Sequence, residues 1–350
     1  MVTREFPIQM KKNIIILLVN LMAVFYIFPE KLAVFPQLEK PDSLYIDDQQ
    51  IIVGGRTSAF VYSAKDFHLV SKFGSPGEGP GQFLPLPGRG LQVSVQPETI
   101  FIHSFGKISY FEKNGRFIRE KRLPPGSYFF KPFGDQLLGF KSVVENEIFY
   151  ETINLFDNNL NLRKELFRHK ARVQQNRREI KILDRSVVVE TGREHIFVSA
   201  TNFLEILAFD NKGALAFTIK NQDVKRRPVT DRDKKEIHNF MRLRYGDNYL
   251  TVKDMIKIPP TYPIVRSRIG LKYDYNKGNQ GLYVITWNKK GPATICFLYD
   301  ITGKLLGEIH IEMKSATPIL PFPFTIKDGK FYQLVENEET GDWELVVTKV

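Results

Sequence analysis

The chain has 350 residues, of which 43% are hydrophobic and 13% aromatic, with a net charge of +11 and a single cysteine. This composition supports one large all-β domain or two ordinary domains with a sizeable core, and it excludes a disordered chain. A lone cysteine, Cys296, excludes an internal disulfide, a lipobox cysteine near the N-terminus and a cysteine-cluster metal site. Because it lies in the apolar run 295–299, we expect a small buried thiol.

The N-terminus has the pattern of an export signal. Two lysines at positions 11 and 12 precede an apolar run over residues 14–28, which is the order of regions in a secretory signal peptide. As a helix the run would span about 22 Å, less than the roughly 30 Å of a bilayer core. We predict that residues 1–30 are a signal peptide or an uncleaved signal anchor, with a buried core helix as the alternative. The rest of the chain would then be extracytoplasmic: periplasmic, secreted or at the cell surface, with membrane attachment through 14–28 left open.

A turn rich in glycine and proline follows at residues 73–83, with the sequence FGSPGEGPGQF. Glycine permits positive φ and proline fixes φ, so the run can reverse the chain while its terminal phenylalanines pack on a core. The stretch resembles the inter-blade turn of NHL-like and TolB-like six-bladed β-propeller proteins, an exported bacterial type. The resemblance implies a single six-bladed propeller over residues 31–350.

Two repeated patterns each count six units. The first is an apolar segment after a polar turn, beginning at Ile51, Ile100, Leu137, Ile196, Leu282 and Phe331. The second is an aromatic residue followed by a polar turn, at Tyr62, Phe111, Phe156, Phe209 and Tyr299, with a sixth position expected near Val347. A unit of about 45–50 residues with several strands is typical of a propeller blade.

The two ends of the chain predict how the ring closes. The sixth unit reaches Val350 after about three strands, whereas Leu32–Phe35 is a spare apolar strand before the first unit. We therefore predict that the N-terminal strand is the outer strand of the last blade, because a closed ring has no exposed sheet edge.

A helical insertion is predicted at about residues 221–261, between blades 4 and 5. Thr230 is a favourable N-cap, and Ile237, Phe240 and Met241 share one helix face. The insertion is expected to be a clip packed on the propeller surface or a lid over the central channel.

Basic residues are concentrated in two windows. Residues 163–185 carry +6 and residues 220–244 carry +5, which together equal the whole net charge. We interpret the first window as a solvated loop between blades 3 and 4. The second supplies the candidate ligand-binding residues, which would give a lid its positive face: Lys225, Arg226, Arg227, Arg242 and Arg244.

The sequence contains no recognisable catalytic constellation. The six histidines show no HxH or HExxH spacing, and no DxDxDG loop is present. Asp157, Asp210 and Asp300 recur at equivalent blade positions, which indicates a role in turns. We predict no catalytic residue, no metal and no cofactor.

These observations favour an exported, monomeric, non-catalytic binding or scaffold propeller. Its ligand would be a partner protein or an anionic molecule at the central-channel face. One alternative is a lactonase-like or lyase-like propeller enzyme with a metal in the channel. Another is a binder of an anionic polymer or a membrane surface through the basic windows. Some NHL propellers bind RNA on a basic face, but the export signal argues against nucleic acid here.

Overall fold

The computed structural model describes residues 29–86, 90–170, 179–183, 187–199, 204–266, 270–275 and 280–350. Six four-stranded sheets form the blades of a propeller, and the strands of each sheet are antiparallel neighbours. The strands of blade 1 are Ser43–Ile46, Gln50–Gly54, Ala59–Ser63 and Leu69–Phe73. Those of blade 2 are Gln92–Val95, Thr99–Ser104, Lys107–Glu112 and Phe117–Arg122. Those of blade 3 are Ser127–Phe133, Gln136–Glu145, Ile148–Phe156 and Leu162–Lys170. The strands of blade 4 are Val188–Thr191, Ile196–Ser199, Leu204–Phe209 and Leu215–Asn221. Those of blade 5 are Leu271–Tyr275, Gln280–Lys290, Ala293–Tyr299 and Leu305–Ile311. Those of blade 6 are Phe324–Lys327, Lys330–Glu336, Trp343–Lys349 and Glu30–Phe35. The predicted all-β, six-bladed propeller is confirmed.

The antiparallel order of the strands gives the ring two distinct faces. Because neighbouring strands run in opposite directions, each connection along the chain lies on the face opposite to the connection before it. The linkers between blades lie with the turns between second and third strands, on what we call the linker face. The remaining turns lie on the opposite side, the turn face.

The N-terminal strand closes the ring. Glu30–Phe35 pairs antiparallel with Trp343–Lys349 and is the outer strand of blade 6, as predicted. Phe35 is 1% exposed, and its ring centroid lies 4.2 Å from that of Tyr62 in blade 1. The first and last segments of the described chain are therefore joined in one sheet.

Hydrophobic contacts between neighbouring blades form the core. Six buried clusters lie between successive blades, including one between blades 6 and 1. This arrangement explains why the middle strands are apolar on both faces, as in the buried run around Cys296. That thiol is fully buried between blades 5 and 6, and burial raises its pKa.

The repeated aspartates stabilise turns between third and fourth strands. The carboxylates of Asp157, Asp210 and Asp300 each accept hydrogen bonds from backbone N–H groups two and four residues later, at 2.8–2.9 Å. The predicted turn role is confirmed. Hydrogen bonds lower the pKa of all three carboxyl groups. The largest contribution comes from the side chain of Asn161 for Asp157, from the backbone N–H of Ala214 for Asp210, and from the side chain of Thr302 for Asp300. The pKa of Asp157 falls to about 2.

These three turns predict a loss of stability in acid. A depressed carboxyl pKa contributes stability above the unfolded value of about 3.9, and this contribution is lost as the pH falls toward 2. We expect the urea midpoint to fall between pH 5 and pH 2.5, and to fall less in the triple variant Asp157→Asn, Asp210→Asn, Asp300→Asn. Asparagine keeps the acceptor oxygen but does not titrate. The exposed control Asp135→Asn should leave the pH dependence unchanged, whereas equal slopes in wild type and triple variant would contradict the prediction.

The glycine-rich turn links blade 1 to blade 2. Ser75–Pro76 and Gln82–Phe83 form a short parallel pair within it, and Phe83 is fully buried. Gly74 has φ of +88°, and a Cβ there would lie 2.5 Å from the Phe83 ring, so the position requires glycine. Lys107 Nζ donates to the backbone oxygens of Glu78 and Gly79, which fixes the turn against blade 2.

The insertion runs from blade 4 to blade 5 on the linker face. It contains helix α1 (Asp231–Tyr245), helix α2 (Tyr249–Val252), two 3₁₀ turns (Gly246–Asn248 and Lys253–Met255) and Ile256–Lys257, which pairs parallel with Ile180–Lys181. Thr230 Oγ1 accepts the N–H of Asp233, whose carboxylate accepts the N–H of Thr230. This capping box confirms the predicted helix start. The connection extends past residue 261 to the first strand of blade 5.

Candidate functional site

A cavity of about 780 Å³ occupies the centre of the ring. The first strand of every blade contributes to its wall, and the linker residues 40–42, 85–86, 90–91 and 316–323 line its mouth on the linker face. The inner strands supply its lining side chains from different blades because a propeller directs the first strand of each sheet toward the axis.

Three charged side chains from consecutive blades lie in this cavity. Lys131 of blade 3 forms an ion pair with Glu190 of blade 4, whose side chain is 10% exposed. Lys272 of blade 5 lies with its Nζ 5.2 Å from the centre of the Phe324 ring. Burial lowers the pKa of Lys272, Glu190 opposes that shift and Lys131 adds to it. One carboxylate thus faces two ammonium groups, so Lys131, Glu190 and Lys272 together carry a net positive charge.

Apolar side chains line much of the rest of the cavity. Blades 6 and 1 and the linkers beside them contribute Leu44, Leu320, Phe322, Phe324 and Trp343. The same part of the lining also carries two cations and two anions, whose charges cancel: Lys40, Arg56, Asp42 and Glu336. The side-chain oxygen of Gln92, in blade 2, is buried without a hydrogen-bond partner among the described residues. A net positive group beside apolar side chains suits a ligand that has an anionic end and an apolar body.

The helical insertion does not reach this cavity. None of the described residues that line it belongs to the insertion. Instead, Ile237 and Met241 of helix α1 pack on Ile182 and Ile256, with Ile319 at the edge of the same cluster. The insertion is therefore a clip that covers neighbouring linkers, and the alternative hypothesis of a lid over the channel is not what the described residues show.

The five candidate basic residues lie at the two ends of helix α1. Lys225, Arg226 and Arg227 precede the helix, whereas Arg242 and Arg244 are exposed near its C-terminal end. Helix α1 begins at Asp231, so its first eleven residues separate Arg242 from the residues before the helix by about 17 Å along the helix axis. Arg227 forms an ion pair with Asp233 at 2.7 Å and lies over the Tyr262 ring. Arg242 lies over the Tyr249 ring at 5.3 Å.

The first basic window begins on a strand. Its residues 163–170 belong to Leu162–Lys170, the outer strand of blade 3, which corrects the interpretation of the whole window as a loop. Arg163 pairs with Asp157, and Arg168 pairs with Glu165 and Glu145. Residues 171–178 and 184–186 of the window lie outside the described residues.

The described residues provide neither a cluster of metal ligands nor a membrane-spanning helix. No group of three or more His, Cys, Asp or Glu side chains in the described part of the chain is placed to hold a metal ion. No helix among the described residues is long and apolar enough to cross a membrane. The predicted signal or anchor, with its apolar run 14–28, lies outside those residues.

The fold is similar to that of a solved bacterial structure. A Bacteroides fragilis protein described as exported, BF0058, superposes with a TM-score of 0.53 at 12% identity, over 92% of this chain and 94% of that one. BamB from Moraxella catarrhalis gives a TM-score of 0.33 at 11% identity, over 88% of this chain and 71% of that one. No protein-family model and no curated protein matches the sequence. At these identities the first similarity supports the fold alone.

The sequence did not reveal the charged group in the channel. Lys131, Glu190 and Lys272 each occur singly on a different inner strand, far apart in the chain. A signal was present, because each lies in the first strand of its unit, and those strands face the axis. The two repeated patterns of the sequence instead mark the second strands and the turns between third and fourth strands.

Proposed function

We propose that this protein is an exported binding module, a propeller of the NHL-like or TolB-like type, that holds an anionic and partly apolar ligand in its central cavity. The ligand is either free or displayed by a partner protein. One observation carries the proposal: Lys131, Glu190 and Lys272 form a net positive group in a cavity that is also lined by the apolar side chains of Trp343 and Phe324.

The orientation of the N-terminal strand determines which face of the ring an attached membrane would lie on. Glu30 pairs with Val347, near the end of a strand that runs toward the turn face. A chain that arrives from an export signal or anchor therefore joins the ring on the turn face. The cavity mouth and the insertion would point away from an attached membrane, toward soluble ligands or partners.

The test uses decanoate, which has a carboxylate and an apolar chain, with decanol as its uncharged counterpart. The chain has two tryptophans, Trp287 and Trp343, so the variant Trp287→Phe leaves only the emission of Trp343 in the cavity wall. We expect decanoate to change this emission saturably. A hydrogen bond to a charged group contributes about 1.5–3 kcal/mol, so Lys272→Met should weaken binding by about 10-fold or more.

The matched control is Lys65→Met, an exposed lysine on the turn face, which should bind decanoate as the parent does. Decanol should bind about as weakly as decanoate binds to Lys272→Met. Failure of decanoate to bind the parent, or equal affinity in Lys272→Met, would overturn the proposed ligand chemistry.

A further inference from the structure

A second cluster of cations lies between blade 5 and the helical insertion. Arg227 lies over the Tyr262 ring at 4.6 Å, the rings of Tyr262 and Trp287 are 4.7 Å apart, and Arg266 lies over the Trp287 ring at 4.4 Å. The four side chains thus form a continuous series of contacts with a guanidinium at each end. Val229 packs in the same cluster.

The two guanidinium groups differ in their counter-charges. Arg227 makes two hydrogen bonds to Asp233, at 2.7 and 2.9 Å. Arg266 is only 4% exposed, yet no described carboxylate reaches it. Its Nη1 donates to Met313 Sδ at 3.4 Å, and its Nε has no hydrogen-bond partner among the residues that the structure describes. A buried charge normally has a paired counter-charge, because loss of water is costly. Burial lowers the pKa of Arg266 to about 10.

Further donors surround the uncompensated end. The indole N–H of Trp287 is also buried and has no hydrogen-bond partner in the described part of the chain. Lys289 follows on the same strand and is exposed to solvent. Burial, and then the charges of Arg227 and Arg266, lower the pKa of Lys289, whereas Asp233 and Glu236 oppose that shift. Lys289 is therefore within electrostatic reach of both arginines and is itself open to solvent.

We propose that Arg266, Trp287 and Lys289 form a binding site for an oxyanion, that is, a phosphate, sulfate or carboxylate group. The anion accepts hydrogen bonds from the Arg266 guanidinium and the Trp287 indole, and it pairs with Lys289. It supplies Arg266 with the counter-charge that Asp233 supplies to Arg227. This site is separate from the central cavity, since none of its three residues lines that cavity.

Trp287 is the reporter for this site. In the full-length variant Trp343→Phe, Trp287 is the only tryptophan, and it contacts the guanidinium that would hold the anion. Sodium phosphate, sulfate and acetate are titrated at constant ionic strength, with sodium chloride as the balancing salt. We expect a saturable change in Trp287 emission with at least one of the three anions. A response to phosphate and sulfate alone identifies a tetrahedral anion, and an equal or stronger response to acetate identifies a carboxylate.

Two variants test the residues. Arg266→Met should abolish the saturable response, and Lys289→Met, at an exposed position that leaves the core intact, should weaken it about 10-fold. Lys235→Met, which removes an exposed lysine from helix α1, should retain the full response. If Arg266→Met does not fold, Lys289→Met decides the outcome. No saturable response to any anion, or an unchanged response in Lys289→Met and Arg266→Met, would overturn the proposal.

Discussion

Deletion of residues 1–35 is expected to abolish cooperative folding of the ring, whereas deletion of residues 1–28 should leave it intact. The longer deletion removes Glu30–Phe35, the fourth strand of blade 6. Trp343–Lys349 would then become an open edge whose backbone N–H and C=O groups lose their partners. The cluster between blades 6 and 1 would also lose Phe35.

The contribution of the Phe35 side chain alone indicates how much free energy of unfolding the deletion removes. Phe35 is 1% exposed, and truncation of a buried phenylalanine to alanine costs about 3–5 kcal/mol. Domains of ordinary stability unfold at about 5–15 kcal/mol. Loss of the whole strand therefore removes a large fraction of the free energy of unfolding, and the edge that remains favours aggregation.

The measurement is urea unfolding together with gel filtration of both deletions. The point variant Phe35→Ala should lower the free energy of unfolding by about 3–5 kcal/mol. The adjacent control Val34→Ala, at a residue that is 43% exposed, should change the free energy of unfolding by less than about 1 kcal/mol. If the two deletions unfold at the same urea concentration, the ring does not depend on this strand.

Much of the fold was predictable because it repeats. Phe156-Asp157 and Phe209-Asp210 mark the same turn in successive blades, so a weak local pattern gained weight from recurrence. The closing strand followed from a missing fourth strand at one end and a spare apolar strand at the other. Thr230 marked the start of helix α1, since a capping box acts over only four residues.

The functional residues were not predictable in the same way. Lys131 and Glu190 become partners only when blades 3 and 4 lie side by side, and no local pattern records that contact. Arg266 looks like an ordinary loop residue in the sequence. Its burial depends on Trp287, in the second strand of blade 5, and on Met313, in the linker between blades 5 and 6. Such sites arise from tertiary contacts between residues that the repeat treats independently.

Replacement of Glu190 by glutamine is expected to destabilise the protein and to make its stability rise steeply with pH. Glutamine retains the oxygen that accepts the N–H of Thr191 but removes the charge that pairs with Lys131 and opposes the pKa shift of Lys272. Breaking a buried ion pair costs about 3–5 kcal/mol. Because the Lys131 side chain is 24% exposed, solvent screening reduces the expected loss to about 2–4 kcal/mol.

The sign of the pH dependence follows from Lys272. Its pKa is lowered in the folded state, and loss of Glu190 lowers it further. Between the folded value and the unfolded value of about 10.4, the unfolded chain binds more protons than the folded chain, so the free energy of unfolding rises with pH. Between pH 7 and pH 10, Glu190→Gln should therefore be least stable at pH 7 and should recover toward pH 10, with a steeper slope than the wild type.

Urea unfolding between pH 7 and pH 10 measures both effects. The double variant Glu190→Gln, Lys272→Met should recover part of the lost stability at pH 7 and lose the steep slope, because it carries no lysine to deprotonate at that position. Glu336→Gln is the control, since Glu336 also lines the cavity but is exposed and forms no ion pair among the described residues. A Glu190→Gln variant as stable as Glu336→Gln at pH 7 would show that the two lysines do not need this carboxylate, and the charge balance on which ligand binding in the channel is argued would be wrong.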